Sequence, residues 1–153
     1  MLRSLLILAL LCVVGLTACD STGEVTVEDG ELIIGEWAVT NLTVDGENRM
    51  ALLLTFYESV TIDFAETASF DITATPRDDS QSATSVRGEY VIDERNDTVA
   101  FTVLPAADDT PPQVASYEFD SETRLTLSLT TDGSLIEGVE GDAVVTLTKQ
   151  SAE

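Results

Sequence analysis

Side chains able to do chemistry are few in this 153-residue chain. It has no histidine, which removes the usual general base, the Ser-His-Asp arrangement and the imidazole ligands of zinc. Serines are plentiful, yet none stands in a G-x-S-x-G elbow. What remains is carboxylate. Asp78-Asp79 and Asp108-Asp109 are adjacent pairs that could divide acid and base roles as in glycosidases. Both fall in turn-like stretches and read as solvated surface. Asp93-Glu94-Arg95-Asn96-Asp97 gathers several oxygens in one turn, as a calcium loop does. It lacks the D-x-[DN]-x-[DN]-G spacing and carries a cation in its middle. These features point away from an enzyme and call for no metal and no cofactor.

The two cysteines, Cys12 and Cys19, both lie near the start of the chain. Arg3 supplies a positive n-region, residues 5–16 form an apolar h-region too short to span a bilayer, and small residues follow. The tetrapeptide Leu16-Thr17-Ala18-Cys19 resembles the lipobox of bacterial lipoproteins. That resemblance implies a signal peptide at residues 1–18, removed on export, and a diacylglycerol on the Cys19 thiol. Each buried methylene contributes about 0.8 kcal/mol, so two or three acyl chains on one residue would hold a domain at a bilayer. The expected location is an exported protein anchored to a bacterial membrane, with the choice of inner or outer membrane open. With Cys12 removed and Cys19 acylated, no disulfide is expected.

Charge excludes some partners. The full chain carries 7 basic and 28 acidic residues, for a net charge of −21. Loss of Arg3 would bring this to −22. Lys149 is the sole lysine. Dense carboxylate and scarce lysine suit a halophile, whose surface stays hydrated where salt screens charges within about 3 Å at 1 M. The other reading is an acidic envelope protein from an ordinary habitat. Nucleic acid is excluded as a partner in either case, because there is no basic patch to meet phosphate.

The elements that must position any site are strands. Residues 19–30 are acidic and unpatterned, and read as a tether with a reach of about 18 Å. From residue 31 the hydrophobic period is two. Val60, Ile62 and Phe64 alternate with polar neighbours, as do Phe70, Ile72 and Ala74. Val86, Tyr90 and Ile92 follow, then Val99, Phe101 and Val103, and Ala115, Tyr117 and Phe119. Leu125, Leu127 and Leu129, and then Ala143, Val145 and Leu147, complete the series. Each run gives one buried and one wet face, the pattern of an antiparallel sheet. The first strand changes phase between Val39 and Leu42, which predicts a bulge or bend near Asn41. Residues 49–58 have apolar positions at helical spacing and predict a short helix, with an early strand as the alternative. Residues 134–139 predict one helical turn with Leu135 and Ile136 inward.

Eight short strands behind Gly35-Glu36-Trp37 resemble the lipocalin family. The resemblance covers residues 31–150 and includes the T-V-D-G turn at 43–46 seen in lipocalin-like bacterial lipoproteins. It implies an all-β fold: an antiparallel, up-and-down, eight-stranded lipocalin-like barrel with one or two short helices. A 3₁₀ turn at 31–34 would precede Trp37, which would plug the closed end beneath Lys149. The chain departs from secreted lipocalins in lacking a disulfide and a helical pattern after the last strand. A β-sandwich is the alternative fold.

An eight-stranded barrel is just wide enough to be filled by its own side chains or to hold one small ligand. The expected interior is Phe64, Phe70, Ile72, Tyr90, Phe101, Tyr117, Phe119 and Leu127. The expected function is a membrane-anchored barrel that binds a small apolar ligand. The alternative is a filled barrel serving as a structural or protein-interaction module of the cell envelope.

Overall fold

The computed structural model describes residues 28–105, 111–133, 135 and 140–151. The leader, Cys19, residues 19–27 of the tether, the Asp108-Asp109 pair and the predicted turn at 134–139 (Leu135 apart) lie outside the described residues. The elements run α1 (Asp29–Ile33), β1 (Gly35–Val44), β2 (Glu47–Asn48), α2 (Met50–Phe56), β3 (Tyr57–Phe64), β4 (Ser69–Pro76), β5 (Thr84–Asp93), β6 (Thr98–Leu104), β7 (Gln113–Ser121), β8 (Arg124–Asp132) and β9 (Glu140–Lys149).

Each long strand hydrogen-bonds to the next in sequence, and β1 pairs with both β3 and β9. The sheet therefore closes into an eight-stranded antiparallel barrel, with the two-residue β2 as an appendage of β1. Closure excludes the sandwich, which would leave two separate layers with free edges. Among the described residues, every member of the buried hydrophobic cluster lies between Ile33 and Leu147.

Period-two alternation becomes a one-sided core. In β3, Val60, Ile62 and Phe64 are buried while Glu58 and Asp63 are exposed. The phase change in β1 is met by a bulge: the register with β9 jumps between Val39 and Asn41, so Thr40 is the extra residue. That turns Leu42 and Val44 inward along with Trp37 and Val39. β1 pairs with β3 only through residues 35–38, and α2 packs against both strands. Residues 49–58 thus divide. The helix ends at Phe56 and strand begins at Tyr57, because the β-favouring Tyr57 takes a partner on β4. Leu53 faces the core, and Leu52 and Phe56 face water.

Two tight features fix the strand ends. Asp45 and Gly46 both have positive φ, 51° and 78°, forming a two-residue type I′ connection between β1 and β2. The Asp45 amide donates to the Asp142 carbonyl at 2.8 Å, and the Asp142 amide donates to the Asp45 carboxylate at 3.0 Å, tying this turn to β9. In β5, Gly88 occupies the inward position that continues Val86 and Tyr90. A Cβ there would meet the Thr102 carbonyl and lie 2.5 Å from the Phe70 ring.

Candidate functional site

The barrel has two unlike ends. One carries α1 and the short turns that join β3 to β4, β5 to β6 and β7 to β8. Its floor is aromatic. Trp37 is fully buried, and its indole Nε1 donates to the Ile33 carbonyl at 2.7 Å. The Lys149 ammonium stands 5.2 Å from the indole centroid and donates to the Leu32 carbonyl at 2.8 Å. Lys149 therefore meets a ring face and one of the orphan carbonyls that end α1. The segment before Trp37 is a short α-helix, Asp29–Ile33, where the family resemblance implies a 3₁₀ turn at 31–34. It takes in Asp29 and Gly30, which the sequence places in the tether.

Around this plug the expected interior residues gather. Phe64 packs edge-on to Tyr90 with centroids 5.2 Å apart, and Phe70 packs likewise on Phe101 at 5.3 Å. Tyr117 meets Phe119 at 5.7 Å, and Phe119 lies 6.3 Å from Trp37. Phe119 is only half-buried, since it sits near the end of β7, where the pairing with β8 is irregular. Both tyrosine hydroxyls find partners. Tyr90 donates to the Ala65 carbonyl at 3.0 Å, and Tyr117 to the Asp29 carboxylate at 2.9 Å. Burial pushes the Tyr90 phenol up. Burial, then the Asp29 carboxylate, then the charges of Asp97 and Glu94 push the Tyr117 phenol far above its ordinary value.

Among the described residues the other end, which carries α2 and Leu135, is aliphatic. A cavity of about 40 Å³ is lined by Ile62, Ile72, Phe101, Leu127, Leu129 and Leu135. A second, of about 210 Å³, is lined by Tyr57, Val60, Ile72, Ala74, Val86 and Leu135, with Thr84 and Ser85 beside it. Ile72 and Leu135 belong to both. Of the eight interior residues expected from sequence, Ile72, Phe101 and Leu127 line the first cavity, and Ile72 alone lines the second. Phe64, Phe70, Tyr90, Tyr117 and Phe119 line neither and pack on one another. Sequence reasoning did not name Tyr57, Val60, Ala74 or Val86 as cavity walls. Three of these were visible as inward positions of strands. Tyr57 was hidden inside the presumed helix.

The carboxylate clusters are occupied locally. Asp78 accepts from the Ser80 amide at 2.9 Å and the Ser80 hydroxyl at 2.6 Å, and these bonds lower its pKa. Asp93 accepts from the Arg95 amide at 3.1 Å and the Asn96 side chain at 2.7 Å. Glu94 accepts from the Gly30 amide at 3.1 Å, so the β5–β6 turn clamps α1. Among the described residues no group of three or more acidic or cysteine side chains converges as a metal site.

No protein-family model matches the chain, and no curated protein matches it. Solved structures do. A crystal structure of a protein from Bacteroides eggerthii superposes with a TM-score of 0.51 at 16% identity, covering 76% of this chain and 98% of that one. A lipocalin-like protein from Bacteroides uniformis gives a TM-score of 0.50 at 15% identity, covering 78% and 99%. At such identities the likeness is one of fold. The closed eight-stranded meander and these neighbours together make the fold a lipocalin-like barrel.

Proposed function

We propose that this protein is an exported, lipid-anchored lipocalin-like domain that takes a small apolar molecule into the open end of its barrel. The observation that carries the binding role is the division of the interior. Aromatic side chains fill the end beneath α1, while aliphatic walls leave space at the other. Ligand pockets are usually concave and mostly apolar, with a few polar groups to orient the guest. Here Tyr57 and Thr84 would supply those groups. The role involves no catalytic step and no cofactor.

The anchor rests on the lipobox-like sequence ending at Cys19. Residues 20–27 lead from Cys19 to the α1 end of the fold. The mouth would then face away from the anchoring bilayer, so ligand would arrive from the aqueous side. Incorporation of labelled palmitate that is lost in Cys19→Ala tests the anchor, and incorporation unchanged by that substitution rejects it.

Native mass spectrometry of the chain from Asp20 onward tests the binding role. A co-purified or added small apolar molecule held in one-to-one stoichiometry is expected. A clean apo mass together with no uptake of decanol or of an apolar fluorescent dye would reject it. That result would favour a filled barrel acting by its surface, a reading to which the small volume of the inner cavity, about 40 Å³, lends support.

A further inference from the structure

The rim of the mouth restricts what the apolar cavity can take, an inference that rests on the binding role proposed above. Besides Glu58 near the start of β3, seven described carboxylates stand at this end of the barrel. They are Asp45 and Glu47 flanking the first turn, Asp78 and Asp79 after β4, Asp132 at the end of β8, and Glu140 and Asp142 at the start of β9. Two cations face them, Arg49 and Arg77, and both are engaged. The Arg49 guanidinium lies 2.7 Å from the Glu47 carboxylate. The Arg77 Nε donates to the Leu54 carbonyl at 2.5 Å, and its amide donates to the Phe56 carbonyl at 3.0 Å, so Arg77 closes the end of α2.

The described residues that line the cavity include no charged side chain; the polar ones among them are Tyr57, Thr84 and Ser85. A carboxylate or phosphate head entering here would leave water for a site with no described lysine or arginine on its wall. It would also cross a rim of net negative charge. A cationic head would lose little, because it could stay at the rim among carboxylates while its tail filled the cavity. At low ionic strength, where the Debye length reaches about 30 Å at 0.01 M, like charges at one end of the barrel act together.

We infer that the ligand is an apolar molecule with a neutral or cationic head, such as an alkyl alcohol, alkylamine or quaternary ammonium, and that fatty acids and anionic lipids are excluded.

The test is binding of decyltrimethylammonium, decanol and decanoate to the chain from Asp20 onward, each below its micelle concentration, at 20 mM and at 1 M NaCl. The cation should bind tightest and decanoate weakest. Their dissociation constants should differ by about tenfold or more at 20 mM, and by less than about threefold at 1 M. A variant with Asp79→Asn and Glu140→Gln should narrow the low-salt gap. A variant with Glu66→Gln and Glu122→Gln, which makes the same charge change at the α1 end, should leave it unchanged. Decanoate binding as well as the cation at 20 mM would overturn the selectivity while sparing the binding role. Equal narrowing by both variants would assign the gap to overall charge and would also overturn the rim. Failure of all three probes to bind would overturn the binding role and the selectivity together.

Discussion

Trp37→Phe removes the polar anchoring of the barrel floor along with part of its bulk. The ring remains, but the indole donor to the Ile33 carbonyl is lost from a site where Trp37 and Ile33 are both fully buried. An orphaned buried carbonyl costs about 1–3 kcal/mol. The smaller phenyl face weakens the cation–π contact with Lys149, worth about 0.5–1 kcal/mol in a half-buried setting. Together the substitution should destabilise by about 1–4 kcal/mol. Lys149→Met should cost less, about 0.5–2 kcal/mol, since it surrenders the same cation–π contact and one bond to Leu32, whose carbonyl sits at the more accessible end of α1. Urea unfolding followed by far-ultraviolet circular dichroism measures both. Dichroism is required because Trp37 is the sole tryptophan, and the substitution removes the fluorescent probe. A double-mutant cycle should return a coupling of about 0.5–1 kcal/mol between the two sites. A loss below about 0.5 kcal/mol for Trp37→Phe would refute the idea that the hydrogen bond from Trp37 to α1 holds the closed end.

Other perturbations reach the rest of the structure. Gly88→Ala should destabilise by about 1–3 kcal/mol through overpacking, because the added methyl meets backbone at Thr102 and the Phe70 ring. Phe70→Leu in the same chain should recover only part of the loss, and full stability of Gly88→Ala in thermal melts would contradict the close strand approach. Leu135→Ala removes a wall common to both cavities. It should cost about 2–4 kcal/mol and raise uptake of an apolar dye several-fold; lower uptake would refute the placement of Leu135 over the cavity. The alkaline limb of stability has a definite sign. Tyr90 and Tyr117 hold their protons more tightly folded than unfolded, so their contribution is full below the unfolded value of 10.0 and is lost as pH rises above it. Denaturation midpoints should therefore fall above about pH 10, and fall less steeply in Tyr117→Phe; an identical slope in that variant would refute the assignment.

Much of this barrel is legible in sequence because one-sided burial imposes period two, and β3 to β9 display it with few exceptions, such as Gly88 at an inward position and the buried Thr146 between Val145 and Leu147. The bulge at Thr40 was legible too, since Val39 and Leu42 cannot both face inward along a regular strand. Element boundaries were less so. In residues 49–58 a helical apolar spacing continues into Tyr57 with no Gly or Pro to mark the break, and pairing with β4 decides where strand begins. The length of α1 was hidden for a related reason: the glycine at position 30 discourages a helical reading, but its amide is satisfied by Glu94, 64 residues away. The cavity was the least legible feature. Which inward side chains pack together and which leave space depends on barrel height and strand stagger. That set Phe64, Phe70 and Tyr90 in the floor and Val60, Ala74 and Val86 around the gap. Gly88 offered one clue, an empty inward position that lets Phe70 settle against the strand.

Intermolecular nuclear Overhauser effects between unlabelled decanol and the isotope-labelled chain from Asp20 onward test the central claim most directly. Contacts to the methyl groups of Ile72, Val86 and Leu135, and none to the outward-facing Val91 and Val114, are the predicted result. Contacts confined to Val91 and Val114, or none at saturating decanol, would contradict a receptive open end.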